Sequence, residues 1–481
     1  MIPLIVLACL VCPIWGAEIR VVEPPLRVDL QPPQEARFLD QRFVSENWMQ
    51  MPIDHFDPQN NATFNMRYMV NELYFGEDGS PIFIMVGGEW DISPAWLLTG
   101  NMFEMARENN GCMIYTEHRY YGQSLPYEVF STSNLKFLNV DQALADLAYF
   151  INTYKRSSTR FANSKVILYG GSYAGNMALW FKQRYPHLAV GVVASSGPIK
   201  GQVNFEDYLN VVHRAFLSEG GEECIAAIKL GIDDTLRAME TEGGRRELES
   251  AYRLCAPLDY DNRFALGYFS GLISWTFSTS VQQSRPGTLL NICNNFATNI
   301  YGETPMQKIG GYIAAVRNLG PACWMINYET YVNNYMVPRS NSRAWYYQTC
   351  TEYGYYQTAP NTGTVFDHLN WLNVEFYVDM CKRAFDERFN ELFVYDAVER
   401  VNLVFGGLSP EVNKTINIHG ELDPWFALGV HRDLQEDSPT YSVPRASHCF
   451  DMQPWLPTDT ILMTRAQQDA RRLVAQWLSE N

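Results

Sequence analysis

The chain has 481 residues, of which 47% are hydrophobic and 14% aromatic, and its formal net charge is −16. A chain of this composition can bury a sizeable core, which excludes a disordered protein. The acidic balance and the absence of a Lys and Arg cluster from the sequence exclude nucleic acid as a partner, because phosphate binding relies on clustered cations.

The N-terminus predicts a secreted protein. Residues 1–17 form an apolar run that ends in small residues and precedes charged ones, as a signal peptide does. That run is too short to span a bilayer, and no later segment reaches the required length without charged residues. We therefore expect no membrane span. Residues 18–44 begin with two Pro pairs and are predicted as an extended tail or a pro-segment. The expected location is the secretory pathway, either extracellular or lysosomal.

Short buried strands alternate with helices over residues 45–202. Strands are predicted in "ATFNMRYMV", "PIFIMVGG", "CMIYTEHRYYG" and "SKVILYGG", and a helix in "NVDQALADLAYFINTY". Alternation of this kind indicates parallel strands joined by crossover helices. The predicted fold class is therefore α/β, with a sheet covered on both faces.

The pattern becomes helical over residues 203–345, as in "ECIAAIKLGIDDTLRAM" and "PMQKIGGYIAAVRNL". Strand-like runs return in "KTINIHGELDPW" and "TYSVPRASH", so residues 346–481 are predicted to complete the core. Eight cysteines remain after the signal peptide, and an even number in an exported chain suggests disulfides. We interpret residues 203–345 as a helical cap domain, inserted into the core and stapled by disulfides.

The segment "LYGGSYAGNM" predicts a nucleophilic serine, Ser172. A buried strand precedes it, Gly170 and Gly171 allow a sharp turn, and a helix follows. This is the pattern of a nucleophile elbow, with Ala174 where a glycine is usual. A serine hydroxyl needs a base and an orienting carboxylate to attack a carbonyl group, and in sheets of this type the order is Ser, Asp, His.

Asp423 and His448 are predicted to complete that order with Ser172. Asp423 follows a strand in "HGELDPW", where Glu421 is a competing carboxylate. His448 in "RASHCFDM" follows a further strand, whereas its rival His431 lies in an apparent helix just after Asp423. The spacing therefore favours Ser172, Asp423 and His448 as the catalytic residues.

Backbone N–H groups are predicted to form an oxyanion hole. Tyr173, directly after the nucleophile, supplies one donor, and the glycine loop after "PIFIMV", at Gly88, supplies the other. The sequence has no pair of Cys or His residues at metal-ligand spacing and no phosphate loop. We therefore expect neither a metal nor a cofactor.

Seven segments occur in the order seen in a known peptidase family: "DHF", "GGEWD", "EHRYYGQSLP", "GGSYAGNMALWF", "YQTCTEYG", "GELDPW" and "ASHC". From about residue 45 to its end the chain resembles the family of prolyl carboxypeptidase, lysosomal dipeptidyl peptidase and thymus-specific serine protease, and "GGSYAG" and "TEYGYY" are similar to the thymus-specific branch. The resemblance implies an α/β-hydrolase core with a helical cap, and it places Ser172, Asp423 and His448 in the family triad.

The resemblance also suggests substrate-binding residues. In prolyl-cleaving members a Met four residues after the serine and the Trp of "DPW" form an apolar pocket; here these positions are Asn176 and Trp425, so a preference for proline is left open. Glu89 and Asp91 favour binding of a free peptide amine. We interpret Glu117 and Arg119 of "EHRYYG" as a structural ion pair.

The cysteine pairing is an expectation attached to this resemblance. We expect Cys350 to pair with Cys381, and Cys112 and Cys449 to be free thiols. The remaining four cysteines are expected to bridge one another within the cap, in a pairing left open: Cys224, Cys255, Cys293 and Cys323. Two sequons, at Asn61 and Asn413, predict glycosylation.

The predicted function is that of a serine-type exopeptidase, a dipeptidyl peptidase or a carboxypeptidase, which hydrolyses peptides through an acyl-enzyme on Ser172. An esterase or lipase of the same fold would use the same acyl chemistry, and a non-catalytic member of the fold is a further alternative. Peptide substrates are expected, and a homodimer is considered.

Overall fold

A computed structural model describes residues 19–20, 30–336 and 339–480. The predicted signal peptide lies outside the described residues, as do residues 21–29 of the predicted tail.

The strands are β1 Ile19–Arg20, β2 Ser45–Pro52, β3 Thr63–Asn71, β4 Ile82–Met85, β5 Cys112–Thr116, β6 Val166–Gly171, β7 Gly191–Ser195, β8 Gln202–Asn204, β9 Cys323–Trp324, β10 Gly354–Tyr356, β11 Thr415–Gly420 and β12 Thr440–Val443. The α-helices are α1 Asn101–Glu108, α2 Thr132–Leu135, α3 Val140–Ser157, α4 Tyr173–Arg184, α5 Asp207–Ala238, α6 Glu242–Ala251, α7 Arg263–Gln282, α8 Thr288–Ala297, α9 Pro305–Val316, α10 Tyr328–Tyr335, α11 Asn341–Gln348, α12 Val374–Ala384, α13 Glu391–Phe405 and α14 Ile461–Ser479. Short 3-10 helices cover Gln34–Phe38, Gln41–Phe43, Pro94–Leu97, Phe426–Leu428 and Phe450–Met452, and a π-helical turn covers Thr349–Tyr353.

Eight strands form the central sheet in the order β12-β11-β7-β6-β4-β5-β3-β2. The strands β2, β3 and β5 are antiparallel neighbours, and every other pair is parallel. Every residue of β4, β5, β6, β7 and β11 is buried, as expected of parallel strands covered on both faces. The α/β prediction is confirmed.

Side chains from the two faces of the sheet pack into two separate hydrophobic cores. Along β4, Ile82 and Ile84 join the core beneath α3 and α4, whereas Phe83 and Met85 join the core beneath α1 and α14. Side chains of a strand alternate between faces, so one apolar run serves both layers.

The helical insertion lies between β7 and β11. It contains α5 to α13 together with β8, β9 and β10, and α5 is interrupted at Gly221, whose φ of +73° lies in a region that favours glycine. The predicted cap limit at residue 345 falls inside α11, and helices continue to Phe405 before the sheet resumes. The exact domain limits stay a prediction. Among the helices in the described part of the chain, none is long and apolar enough to cross a membrane.

Three disulfides staple the insertion. Cys224 pairs with Cys293, Cys255 with Cys323, and Cys350 with Cys381. The expected Cys350–Cys381 bridge and the bridging within the cap are confirmed. Cys112 and Cys449 are free and buried, as expected.

The ion-pair interpretation of "EHRYYG" needs a correction. Glu117 accepts a hydrogen bond from the Arg67 guanidinium at 2.5 Å, and Arg119 donates to the Asp146 carboxylate at 2.6 Å. Glu117 and Arg119 therefore do not pair with each other. Glu117 pairs with Arg67 of β3, and Arg119 pairs with Asp146 of α3. Both ion pairs are structural.

Candidate active site

Ser172 occupies the sharp turn between β6 and α4. Its φ of +57° and ψ of −134° are unusual for a residue with a side chain, and its backbone N–H donates to the Ser195 carbonyl oxygen at 2.9 Å. A Cβ atom at Gly170 would collide with the backbone of Ala174, which explains that glycine. Ala174 itself is buried in the core. The methyl group in place of the usual glycine is therefore accommodated.

Asp423 and His448 form a buried pair. The Asp423 turn follows β11 and the His448 loop follows β12. Nδ1 of His448 lies 2.7 Å from Oδ2 of Asp423, and Oδ1 of the same carboxylate accepts the Trp425 backbone N–H at 3.0 Å. Nε2 of His448 is buried and has no hydrogen-bond partner within the described ranges. This nitrogen is therefore available to accept a proton, as a general base requires.

The carboxylate controls the protonation of the imidazole. Burial by itself lowers the pKa of His448, but the Asp423 carboxylate beside it holds that pKa well above the usual range of histidine. The imidazolium that forms when His448 takes a proton is therefore stabilised.

The end of β7 holds Ser172 and the His448 loop at one edge of the sheet. Ser172 is anchored on the Ser195 carbonyl, and the backbone N–H of Cys449, next to His448, donates to Oγ of Ser196 at 2.9 Å. The strand order places β7 between β6 and β11. The carboxyl ends of these strands therefore bring Ser172, Asp423 and His448 to one edge.

The rival residues lie apart from this pair. Glu421 is exposed, and the ring of His431 packs on Phe426 with 4.0 Å between centroids. The expectation that His431 lies in a helix is wrong, because a single 3-10 turn ends at Gly429, where the chain passes in extended form against the ring of His419.

The predicted oxyanion donors lie at the start of α4 and in the loop after β4. Tyr173 is the first residue of α4, so its N–H has no partner within the helix. In the loop after β4, a Cβ atom at Gly88 would collide with the indole of Trp90. This loop therefore needs glycine to pack against its own tryptophan as it does.

The predicted amine-binding acids differ in exposure. Glu89 is 3% exposed, and its charge raises the pKa of both Tyr173 and Tyr355, though less than burial does. Asp91 is exposed and accepts a hydrogen bond from the side-chain amide of Asn341 at 2.8 Å. The two acids therefore do not act as one group.

Asn176 and Trp425 both contact Tyr355. Asn176 lies one helical turn after Ser172, and its Nδ2 donates to the Pro198 carbonyl at 3.0 Å and to the Tyr355 hydroxyl at 3.3 Å. Because a carbonyl cannot donate, these bonds orient the amide and leave Oδ1 buried without a partner in the described chain. The Tyr355 ring contacts the Trp425 ring with 5.2 Å between centroids. Sequence reasoning missed Tyr355, since no periodicity or spacing marks it.

A cavity of about 220 Å³ opens beside His448. Leu30 and Pro32 of the predicted tail form one wall, and the chain after α7 forms another, which includes Arg285. Arg285 is exposed and pairs with no carboxylate in the part of the chain that the structure describes. Among the described residues that line this cavity, none is Asp or Glu.

A serine on a strand-to-helix elbow, with a buried Asp–His pair at the same edge of a mainly parallel sheet, defines a serine hydrolase of the α/β-hydrolase fold. The family profile described as Serine carboxypeptidase S28 matches residues 51–470. The chain belongs to the serine carboxypeptidase S28 family. It is therefore a serine peptidase, and the resemblance found in the sequence is confirmed.

Relatives at moderate identity cover most of the chain. The Thymus-specific serine protease of Mus musculus is 30% identical over 450 residues, which are 90% of this chain and 88% of that protein. The Lysosomal Pro-X carboxypeptidase of Bos taurus is 29% identical over 481 residues, 95% of this chain and 94% of that protein. Among solved structures, an acetylester hydrolase from Corynebacterium glutamicum is 10% identical with a TM-score of 0.40, covering 93% of this chain and 100% of its own.

Proposed function

We propose that this serine exopeptidase works through an acyl-enzyme on Ser172, with His448 as general base and acid and Asp423 as the group that orients it. The observation that carries the proposal is the buried 2.7 Å contact between His448 and Asp423, which leaves Nε2 available at the edge where Ser172 lies. An esterase would use the same chemistry, but membership of a peptidase family favours peptides.

The proposed reaction has two balanced halves. Oγ of Ser172 attacks the peptide carbonyl carbon while its proton passes to Nε2 of His448, and the oxyanion accepts hydrogen bonds from the N–H groups of Tyr173 and Gly88. The C–N bond then breaks as Nε2 returns the proton to the leaving amine. Water attacks the acyl ester by the same route, which releases the acid and restores the hydroxyl of Ser172.

We further propose that the enzyme acts from the carboxyl end of its substrates. Because His448 protonates the leaving amine, the residue on that side of the scissile bond must lie beside His448, where the cavity is. Among its described lining residues the cavity offers the Arg285 cation and no acid, which suits a free carboxylate. The printed name of the bovine relative, Lysosomal Pro-X carboxypeptidase, agrees with this direction. Recognition of a free amine by Glu89 is the alternative.

Asn176 is proposed to set the preference on the acyl side. Its buried Oδ1 lacks a donor, and an unpaired buried acceptor costs about 1–3 kcal/mol. A substrate side chain that carries a hydroxyl or amide donor would remove that cost, whereas proline would not. Cleavage after polar residues is therefore expected to exceed cleavage after proline, and Asn176→Met is expected to reverse the order.

We also propose that the protein is exported and glycosylated. Its three disulfides agree with an oxidising compartment, and the two sequon residues, Asn61 and Asn413, are exposed. Loss of mass on treatment with a glycosidase would test the second point. The homodimer stays a prediction, which light scattering on the purified protein would test.

The end that is attacked can be tested with one set of peptides. Matched peptides with free or blocked ends are digested with the wild-type protein and with Ser172→Ala, and the products are read by mass spectrometry. We expect no hydrolysis by Ser172→Ala, loss of cleavage when the carboxyl end is amidated, and no effect of acetylating the amino end. If acetylation rather than amidation protects the peptide, the amine alternative is correct.

Arg285 gives a sharper version of this test. Arg285→Ala is expected to lower kcat/KM for the free-carboxylate peptide about tenfold, the value of a charge-assisted hydrogen bond near 1.5 kcal/mol, and to leave the amidated peptide unchanged. Arg285→Lys keeps the charge and is the matched control. Equal losses on both peptides would show that Arg285 does not bind the carboxylate.

A further inference from the structure

The end of cap helix α7 contacts the loop that carries His448. Oγ of Ser447 lies 2.5 Å from the Val281 carbonyl and 2.9 Å from the Gln282 carbonyl, the last two residues of α7. The carbonyls of a final helical turn lack partners within the helix, so the Ser447 hydroxyl supplies a donor to the end of α7. Ser447 and Gln282 are each 4% exposed, so the contact is shielded from water.

The side chain of the same cap residue supports Asp423 from the other direction. The Tyr208 hydroxyl donates to Oε1 of Gln282 at 2.9 Å, and the Tyr208 and Trp425 rings pack edge to face with 5.2 Å between centroids. The backbone of Trp425 in turn donates to Oδ1 of Asp423. Gln282 is therefore linked to His448 through Ser447 and to Asp423 through Tyr208 and Trp425.

The position of α7 also suits the charge that forms during catalysis. The C-terminal end of a helix carries a partial negative charge, which favours a cation nearby. The end of α7 lies against the residue before His448, and Gln282 lines the same cavity as His448. The imidazolium is therefore expected to be more stable with the cap in contact than without it.

A second tie joins the same loop to the cap. Arg445 donates to Glu219 of α5 at 2.8 Å, although the exposed guanidinium makes this a weak contact. On the opposite side of His448, the Cys449 N–H is fixed to Ser196 of the core. The Leu422 N–H also donates to the Ala446 carbonyl at 3.0 Å, so the loop is anchored on the core at Ala446 and Cys449 and on the cap, shielded from water, at the end of α7.

We propose that Gln282 and Ser447 are positioning residues, through which the cap domain holds the Asp423–His448 pair in the geometry that Ser172 requires. The inference rests on the proposed triad. The cap then contributes to the chemical step as well as to any selection of substrates. If the cap moves away from the core, His448 loses its orientation.

The test compares Ser447→Ala, which removes the hydroxyl, with Ser447→Thr, which keeps it. We expect Ser447→Ala to lower kcat about tenfold or more with little change in KM, because small displacements of a catalytic group have large effects on rate. Ser447→Thr is expected to restore most of the rate. Ser278→Ala is the matched control, since it removes a buried hydroxyl of α7 that bonds to Ser274 within the helix.

Tyr208→Phe probes the other link and serves as the second variant. It removes the donor to Gln282 and keeps the ring on Trp425, so a fall in kcat without a change in KM is again expected. Combined with Ser447→Ala, it should lower kcat by a factor different from the product of the two single losses, because both act through Gln282. If Ser447→Ala does not fold, Tyr208→Phe alone decides.

The outcomes separate this inference from the proposed function. Rates are normalised to the concentration of folded protein, and Ser172→Ala is assayed alongside. If Ser172→Ala retains activity, the triad itself is wrong. If Ser172→Ala is inactive but kcat in Ser447→Ala or Tyr208→Phe equals that of the wild type, or if the loss appears in KM alone, the positioning role is overturned.

Discussion

The sheet core and the helical insertion keep their geometry by different means. In the described part of the chain, the three disulfides lie between β7 and β11, whereas the free cysteines, Cys112 and Cys449, lie in the core. Buried strands in a continuous hydrogen-bonded ladder hold one another in place, but inserted helices share no such ladder. We infer that the core determines which atoms react. The cap, which is held by disulfides and polar contacts, determines how firmly those atoms are kept in position.

The largest effect is expected in the core, from Asp423→Asn. The amide cannot hold the His448 tautomer as the carboxylate does, so kcat is expected to fall about 10⁴-fold, as when a triad aspartate is replaced. Because the Asp423 carboxylate raises the pKa of His448, its removal lowers that pKa. The acid limb of the residual rate against pH should therefore move to lower pH.

Glu421→Gln is the control for that change, since Glu421 is an exposed carboxylate two residues away. It should leave both rate and pH profile unchanged. A large loss in this variant, together with a mild one in Asp423→Asn, would mean that the rival carboxylate orients His448.

The next effect is expected in the cap, from replacing both Cys224 and Cys293 with Ser. Their bridge closes a separation of 69 residues, and a loop of that size contributes about 4 kcal/mol in the chain-entropy account of disulfides. Hydrogen exchange should rise in α5 and α8 and stay slow in β4 to β7. Equal loss of protection in the sheet would show that cap and core unfold as one unit, which would break the comparison.

A smaller effect is a dependence of stability on pH, to which one buried carboxyl group in each region contributes. Burial raises the pKa of Asp451, near the sheet, and of Glu352, in the π-helical turn, to about 7 in each case. Between pH 4 and 7 the unfolded chain ionises while the folded chain keeps these protons, so stability falls as pH rises, by an amount on the order of a few kcal/mol in total.

Asp451→Asn and Glu352→Gln should each reduce this fall in the free energy of unfolding, measured by urea denaturation at pH 5 and pH 8. Asp451→Asn keeps an oxygen that can accept the Ser195 hydroxyl, which lies 2.5 Å from the carboxylate in the wild type. If either variant shows the wild-type dependence on pH, that carboxyl does not titrate in this range.

The fold could be predicted where burial leaves a mark on the sequence. The strands β4, β5, β6 and β11 are buried on both faces and stand out as short apolar runs, and the glycines before Ser172 mark the elbow. The edge strand β2, Ser45–Pro52, was not predicted, because most of its residues are not buried and no clean alternation marks it.

Only the part of the site that depends on the order of residues along the chain could be predicted. The order of Ser172, Asp423 and His448 follows from the order of the strands. Ser447 and Gln282, by contrast, are 165 residues apart and meet through a hydroxyl and a backbone carbonyl, and a backbone carbonyl leaves no trace in residue type. Contacts of this kind are set by the docking of the cap and need the folded chain to be seen.

The smallest effect is expected at Cys112, and it sharpens the contrast between the two free thiols. Cys112 is buried in β5, and burial raises the pKa of its thiol to about 12, so reagents for thiols should label it only after unfolding. Cys112→Ala should cost about 1 kcal/mol of stability and leave kcat unchanged. Cys449→Ala, beside His448 and in contact with Ser195 at 3.8 Å, should instead lower kcat. Equal rates in the two variants would mean that the Cys449 thiol does not help to position His448.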